Sequence, residues 1–226
     1  MKHWKKYNAA KQLVDSMKRY SIEEAVELAK KVSYTKFDPT LEAHIQTNAN
    51  PKYNDQNLRG TVVLPHGTGN KVRVAAFVSD DKLEEAKSAG ADVVGNTDLI
   101  SEIEKGNIDF DVLVTTPEMM RDLAKAARIL WPKGLMPSPK AGTVTPKLTD
   151  TINEIKKGRV EFKLDKGGVI HVGVGKLSFD NKQLEENLKA LIDAVNAAKP
   201  SGVKGQLLKK IHIAPTMGPS VQISVN

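Results

Sequence analysis

The sequence predicts an α+β domain built from both chain ends, interrupted by a second domain of alternating strands and helices. Three observations carry this expectation. Between residues 71 and 158, apolar strands and capped helices alternate at the spacing of βαβ units, which require a parallel sheet covered by helices. Before and after that run the strands have antiparallel character, with apolar residues alternating with polar ones in the clearest of them. The charge is also segregated: residues 67–159 carry 14 Lys and Arg against 14 Asp and Glu, residues 1–66 carry 11 against 7, and residues 160–226 carry 9 against 6. All of the net charge of +7 therefore lies outside the alternating run. The expected domains are 1–66 with 159–226, and 67–158 inserted between them.

Element by element, Ser21-Ile22-Glu23-Glu24 reads as a capping box, and Ala25, Leu28 and Ala29 continue it as an amphipathic helix. Residues 41–47 alternate Leu41, Ala43 and Ile45 with Glu42, His44 and Gln46, a half-buried strand. A second strand, 61–64, stops at the turn 65–70. In the insert, strands are expected at 72–78, 91–94 and 112–114. Helices are expected to open at Asp80-Asp81, Thr97-Asp98 and Thr116-Pro117, the first closed by Gly90 and the second by Gly106. Residues 131–146, with four prolines and two glycines, read as a long loop for which Trp131 is a candidate plug. A helix at 150–157 ends at Gly158. A hairpin is expected from 160–164 to 169–174 around Asp165-Lys166-Gly167-Gly168, then a strong amphipathic helix at 183–198 and strands at 207–213 and 221–225.

Composition excludes several classes of function. With no cysteine there is no disulfide, thiolate zinc site or cysteine nucleophile, and a reducing compartment fits. No run approaches the roughly 18 apolar residues of a membrane span, and the basic start Met1-Lys2-His3-Trp4-Lys5-Lys6 leads into no apolar signal core. The expected location is cytoplasmic. His3, His44, His66, His171 and His212 show no metal-ligand spacing, so neither metal nor cofactor is expected. Gly67-Thr68-Gly69-Asn70 precedes a strand and lacks both nucleotide-loop signatures, which weakens the competing reading of a nucleotide-binding enzyme. Met119, Met120 and Met136 read as core and loop anchors.

The stronger candidates lie on the basic outer segments, where a phosphate backbone would be met. Lys36-Phe37-Asp38-Pro39-Thr40 and Thr216-Met217-Gly218 sit at chain turns beside strands; Thr216 has a hydroxyl to offer a ribose, and Gly218 allows close approach. Lys163 and Lys166 would add salt-dependent attraction. Gly67, Gly69 and Gly158 would form a hinge between the lobes. Lys133 and Lys140 offer a weaker second contact with RNA.

Several longer motifs agree in order. Asp55-Gln56-Asn57-Leu58-Arg59-Gly60-Thr61-Val62-Val63-Leu64-Pro65-His66-Gly67, Thr116-Pro117-Glu118-Met119-Met120, Gly134-Leu135-Met136-Pro137-Ser138-Pro139-Lys140, Gly142-Thr143-Val144 and Thr216-Met217-Gly218-Pro219 resemble the bacterial family of the large-subunit stalk protein L-one, over essentially the whole chain. The resemblance implies a discontinuous α+β domain I and an inserted, three-layer Rossmann-like domain II. It also implies that domain I binds the stalk helices of large-subunit rRNA through Lys36, Phe37, Thr40, Glu42, Thr216, Met217 and Gly218. The further partners it implies are exit-site tRNA, whose release the stalk assists, and the chain's own leader mRNA, whose translation it represses. Off the ribosome the protein would be a monomer. Departures from the family pattern fall in the insert, where Ala124, Ala127 and Trp131 stand at family glycines and Ser138 at an asparagine.

Overall fold

The computed structural model describes residues 5–224; the basic start at residues 1–4 and the end of the expected last strand, Val225, lie outside the described residues. In chain order the elements are α1 (Lys5–Gln12), α2 (Ile22–Lys31), β1 (Thr40–Thr47), β2 (Arg59–Val63), β3 (Val74–Phe77), α3 (Leu83–Ser88), β4 (Val93–Gly95), α4 (Thr97–Glu104), β5 (Val112–Thr115), α5 (Met120–Leu123), α6 (Ala127–Lys133), α7 (Leu148–Lys156), β6 (Arg159–Lys163), β7 (Val169–Lys176), α8 (Asn181–Ala197), β8 (Leu208–Pro215) and β9 (Val221–Ile223). The chain divides into two compact units, one running to Gly69 and resuming at Val160, the other spanning Asn70–Arg159.

The first unit is a four-stranded antiparallel sheet of order β7-β1-β8-β9 backed by helices. The alternation along β1 sends Leu41, Ala43 and Ile45 inward, where they meet Ala25, Val26 and Ala29 of α2 and Leu184, Leu188, Leu191 and Val195 of α8. Thr40, Glu42, His44 and Gln46 face outward and are half-buried. Burying one face of a sheet fixes its register, since a slip by one residue would turn every core side chain outward. Helix α2 is capped by the Ser21 hydroxyl, which accepts from the Glu24 N–H at 3.2 Å. The Glu24 carboxylate instead faces Lys18 at 3.4 Å. The reciprocal box occurs on α8, where Asp180 and Gln183 each satisfy the other's backbone N–H.

The second unit is a parallel sheet of order β4-β3-β5. It is buried on both faces, as the continuous apolar run of β3 requires. Ala75 and Phe77 pack with Leu99, Ile100, Ile103, Leu123 and Leu130, while Val74, Ala76 and Val78 pack with Ala86, Leu148, Ile152 and Ile155. Met119, Met120 and Met136 pack against the first of these cores, which accounts for all three.

Four details differ from expectation. The turn at Asp165–Gly168 forms, its carboxylate accepting from Gly167 N and Val169 N at 2.8 Å each, yet the flanking strands diverge into different sheets. β6 takes β2 as partner, seating Phe162 over Gly60, where a Cβ would stand 2.7 Å from the ring; only the bridge Leu164–Ile170 joins β6's end to β7. The helix expected at Thr116-Pro117 starts later, at Met120, after a turn in which Met119 N donates to Thr116 O. Helix α6 reaches into the expected loop as far as Lys133. Finally, Trp131 is 76% exposed and plugs nothing. Its neighbour Leu130 takes the inward position, and one step along a helix rotates a side chain by about 100°. The loop is held by Thr143, whose hydroxyl accepts from Ser138 N at 2.9 Å, and by main-chain bonds from Thr115 to Thr143 and from Thr145 back to Thr115.

The unit boundaries fall at 69/70 and 159/160, for a local reason at each crossing. Asn187, on the apolar side of α8 and fully buried, accepts from His66 N at 3.0 Å and donates to Gly67 O and Val174 O at 2.9 Å each. This fastens the Pro65–Gly67 turn to the first unit. Arg159 belongs to the second, where its guanidinium reaches Glu154 at 3.0 Å and Ala141 O at 3.2 Å. Replacing Asn187→Leu keeps the branched shape but removes the acceptor of His66 N and the donor to Gly67 O and Val174 O, the last of these bonds being buried. A loss of about 2–4 kcal/mol in urea unfolding is expected; an unchanged midpoint would show that the turn is held by something else.

Candidate nucleic-acid interface

The pairing of β1 with β8 brings the two strongest sequence candidates together. Leu41 lies opposite Pro215, so the turn after β8 stands beside the start of β1. Thr216 N donates to Thr40 O at 3.0 Å, and the Thr216 hydroxyl accepts from Thr40 N at 3.1 Å and donates to Thr40 O at 3.2 Å. The hydroxyl has therefore spent its proton and one lone pair on the backbone. It fastens the turn to β1 and is not the free donor that the sequence suggested. The Thr40 hydroxyl in turn accepts from Lys176 Nζ at 3.0 Å.

The turn itself is strained at its tip. Gly218 N donates to Pro215 O at 2.8 Å, closing a four-residue turn, and Met217 occupies the left-handed region at φ 64°. A side chain there costs of order 1–3 kcal/mol and persists where its surroundings fix it. Here Tyr34 fixes it, donating its hydroxyl to Met217 O at 2.6 Å. Gly218 is required by packing, because a Cβ would come within 2.5 Å of the Pro215 ring. The result is an apolar side chain pushed into solvent: Met217 is 65% exposed, and Phe37 beside the same hollow is 54% exposed.

From this edge a polar face runs along the sheet. Glu42 is flanked by Gly173 on β7 and Ala214 on β8, so the strip around it is almost free of side chains. One row further, His171, His44 and His212 lie directly opposite one another across three strands, with His44 and His171 Nδ1 atoms 2.8 Å apart. Glu42 stands 3.9 Å from His44, and Asp165 3.6 Å from His171. Lys210 follows in the next row, opposite Gln46. Burial chiefly, then His171 beside it, holds the His44 imidazole below its ordinary value against an upward pull from Glu42; burial and then Lys210 lower His212.

Lys36, Phe37, Thr40, Glu42, Thr216, Met217 and Gly218 thus form one edge and face. Lys163 and Lys166 do not join them. Gly168 bonds Thr47 at the far end of β1, and the turn holding Lys166 lies there, roughly 20–25 Å from Thr40 at the rise of a strand. Lys133 and Lys140 are exposed on the second unit, at the end of α6 and in the turn Pro139–Ala141. Gly67, Gly69 and Gly158 all have positive φ, of 67°, 76° and 103°. Gly67 and Gly69 belong to the first unit, and a Cβ on Gly69 would strike Lys176 and Phe179. Among the described residues no acidic or histidine cluster has metal-binding geometry, and no helix is long and apolar enough to cross a membrane. Sequence reading missed Tyr34, Lys176 and Asn187. Only Asn187 carried a signal, a polar residue at helical spacing from Leu184 and Leu191.

Two expectations follow. Gly218→Ala is expected to destabilise the protein by about 1–3 kcal/mol through the clash with Pro215, read as a lower urea midpoint; an unchanged midpoint would mean that the turn opens freely. For the histidines, a lowered folded-state value means that the unfolded chain takes the proton first as pH falls. Stability should be level above the ordinary value of 6.5 and decline below it. Unfolding measured at about pH 7.5 and about pH 5.5 should show a smaller acid loss in His44→Gln than in wild type. Equal losses would place the acid sensitivity elsewhere.

Residues 29–219 match the model of the ribosomal protein L1p/L10e family. Three curated relatives carry the name large ribosomal subunit protein uL1. That of Thermosipho africanus is 50% identical over 223 residues, covering 98% of this chain and 96% of the relative. That of Kosmotoga olearia is 49% identical over 222 residues, covering 98% and 96%, and that of Thermosipho melanesiensis 49% identical over 224 residues, covering 99% and 97%. Agreement at half of all positions over nearly the full length of both chains leaves one conclusion: this chain belongs to the ribosomal protein L1p/L10e family.

Proposed function

We propose that the protein is a structural constituent of the large ribosomal subunit, working in the cytoplasm, and that its first unit binds the rRNA stalk. The observation carrying this reading is the meeting of Lys36, Phe37, Thr40 and Glu42 with Met217 and Gly218 at one sheet edge, on the unit that bears all of the net positive charge. The major groove of A-form RNA is too narrow for side chains, so a protein reads folded RNA by shape, 2′-hydroxyls and phosphates. The strip around Glu42, cleared of side chains at Gly173 and Ala214, suits a close-lying sugar–phosphate backbone. There the Glu42 carboxylate would accept from a ribose hydroxyl. Met217 and Phe37 would lose their exposed apolar surface to the contact, and Lys36 would add attraction.

Within the same reading, the stalk held by this protein assists movement and release of exit-site tRNA. Gly67, Gly69 and Gly158 absorb the dihedral change between the domains, and Lys133 and Lys140 supply a weaker contact with RNA. A leader mRNA that presents the same shape would occupy the same surface, which is how the chain would repress its own translation. One surface serving two RNAs requires that they compete.

The test is binding of a stalk-region rRNA fragment across a salt series. Met217→Ala should cost roughly 1–3 kcal/mol with little change in salt slope, whereas Lys36→Ala should lower the slope by about one. A leader-mRNA fragment should displace the rRNA fragment competitively. Weak wild-type binding that vanishes with salt, matched by both variants, would refute the site and leave only nonspecific attraction.

A further inference from the structure

At the proposed contact, Lys36, Phe37 and Met217 share a hollow with Tyr34 and with Lys6 and Tyr7 of α1. It has a volume of about 530 Å³, within the range of sites that hold small organic groups. Aromatic residues are scarce in this chain, five Phe, four Tyr and two Trp, yet three of them gather here. No acidic residue lines the hollow, and two lysines, Lys6 and Lys36, do. The Tyr34 hydroxyl is committed to Met217 O, so Tyr34 also fixes the backbone that carries the Met217 side chain.

We infer that this hollow seats one unstacked nucleobase of the bound RNA, with the flanking phosphates met by Lys6 and Lys36. A lining of aromatic and apolar side chains suits the π-surface of a base, and the two lysines suit the charge on either side of it. An aliphatic peptide side chain would fill the volume but would leave both cations unanswered. A base inside an A-form helix cannot enter, so the occupant comes from a loop, bulge or strand end, where bases are free to turn out. The inference rests on the RNA reading above and deepens it. Shape and ribose contacts would give grip, and this hollow would fix the register of the RNA on the protein.

The test uses the full chain and the stalk-region rRNA fragment with its single-stranded segments intact. Tyr7→Leu keeps the apolar volume and loses the stacking face, so binding should weaken roughly ten- to hundredfold, whereas Tyr7→Phe should bind within about twofold of wild type. Replacing the single-stranded nucleotides one at a time by abasic ones should reveal one position with a matching loss, and Tyr7→Leu should lose nothing more with that RNA. As a check independent of the variants' folding, photo-cross-linking of 4-thiouridine-substituted RNA to wild-type protein should label Tyr7. Tyr7→Leu binding like wild type, no coupled abasic position, or cross-links confined to other residues would overturn the pocket. If Met217→Ala still weakened binding in that case, the RNA reading would stand. Failure of wild type to bind the fragment would remove both.

Discussion

The pairing of β1 with β8, closed by the Thr40–Thr216 bonds, joins segments 176 residues apart and is the constraint on which the rest of the first unit depends. β1 is the second strand of four, bonded to β7 on one side and β8 on the other, so both partners come from beyond the second unit. Closing so long a loop costs entropy that grows only slowly with its length. The insert that fills this loop has two cores of its own. What repays the closure is the inner face of the sheet, whose apolar side chains meet α2 and α8.

The same pairing produces the outer face as its by-product. Where one side of a strand is committed to the core, alternation hands the other side to solvent. The residues delivered there are Thr40, Glu42 and His44 with their cross-strand neighbours. The tip at Met217 is a different kind of feature. It holds a residue in a left-handed conformation by a tyrosine hydroxyl and a glycine that nothing larger could replace. Local strain of this kind needs outside support. Here the support comes from Tyr34, more than 180 residues earlier in the chain.

Charge completes the division between the units. Both are of ordinary composition, but one is neutral and the other carries the full excess of seven positive charges. The excess belongs to the unit that carries the polar sheet face, and a field of that sign draws a polyanion from a distance. The far-end lysines Lys163 and Lys166 contribute to this field without touching the edge at Thr40.

Whereas α1, α6 and the partner of β6 were not legible in the sequence, most strands and helices and the placement of charge were. Each follows from local periodicity, caps and composition, which need no knowledge of distant residues. Lys36–Thr40 and Thr216–Gly218 were legible as turn candidates for the same reason. Tertiary structure decided what those residues do. The Thr216 hydroxyl is spent on Thr40, a partner 176 residues away that no local rule could name. β6 left its expected hairpin because Phe162 fits over Gly60 of β2, and Trp131 turned outward because Leu130 was the better core residue. Tyr7 and Tyr34, unremarkable in sequence, share a hollow with Phe37 and Met217 only because the sheet brings both chain ends together. Periodicity specifies which way a side chain faces, whereas its partner depends on how distant segments pack, and that is settled only by the folded chain.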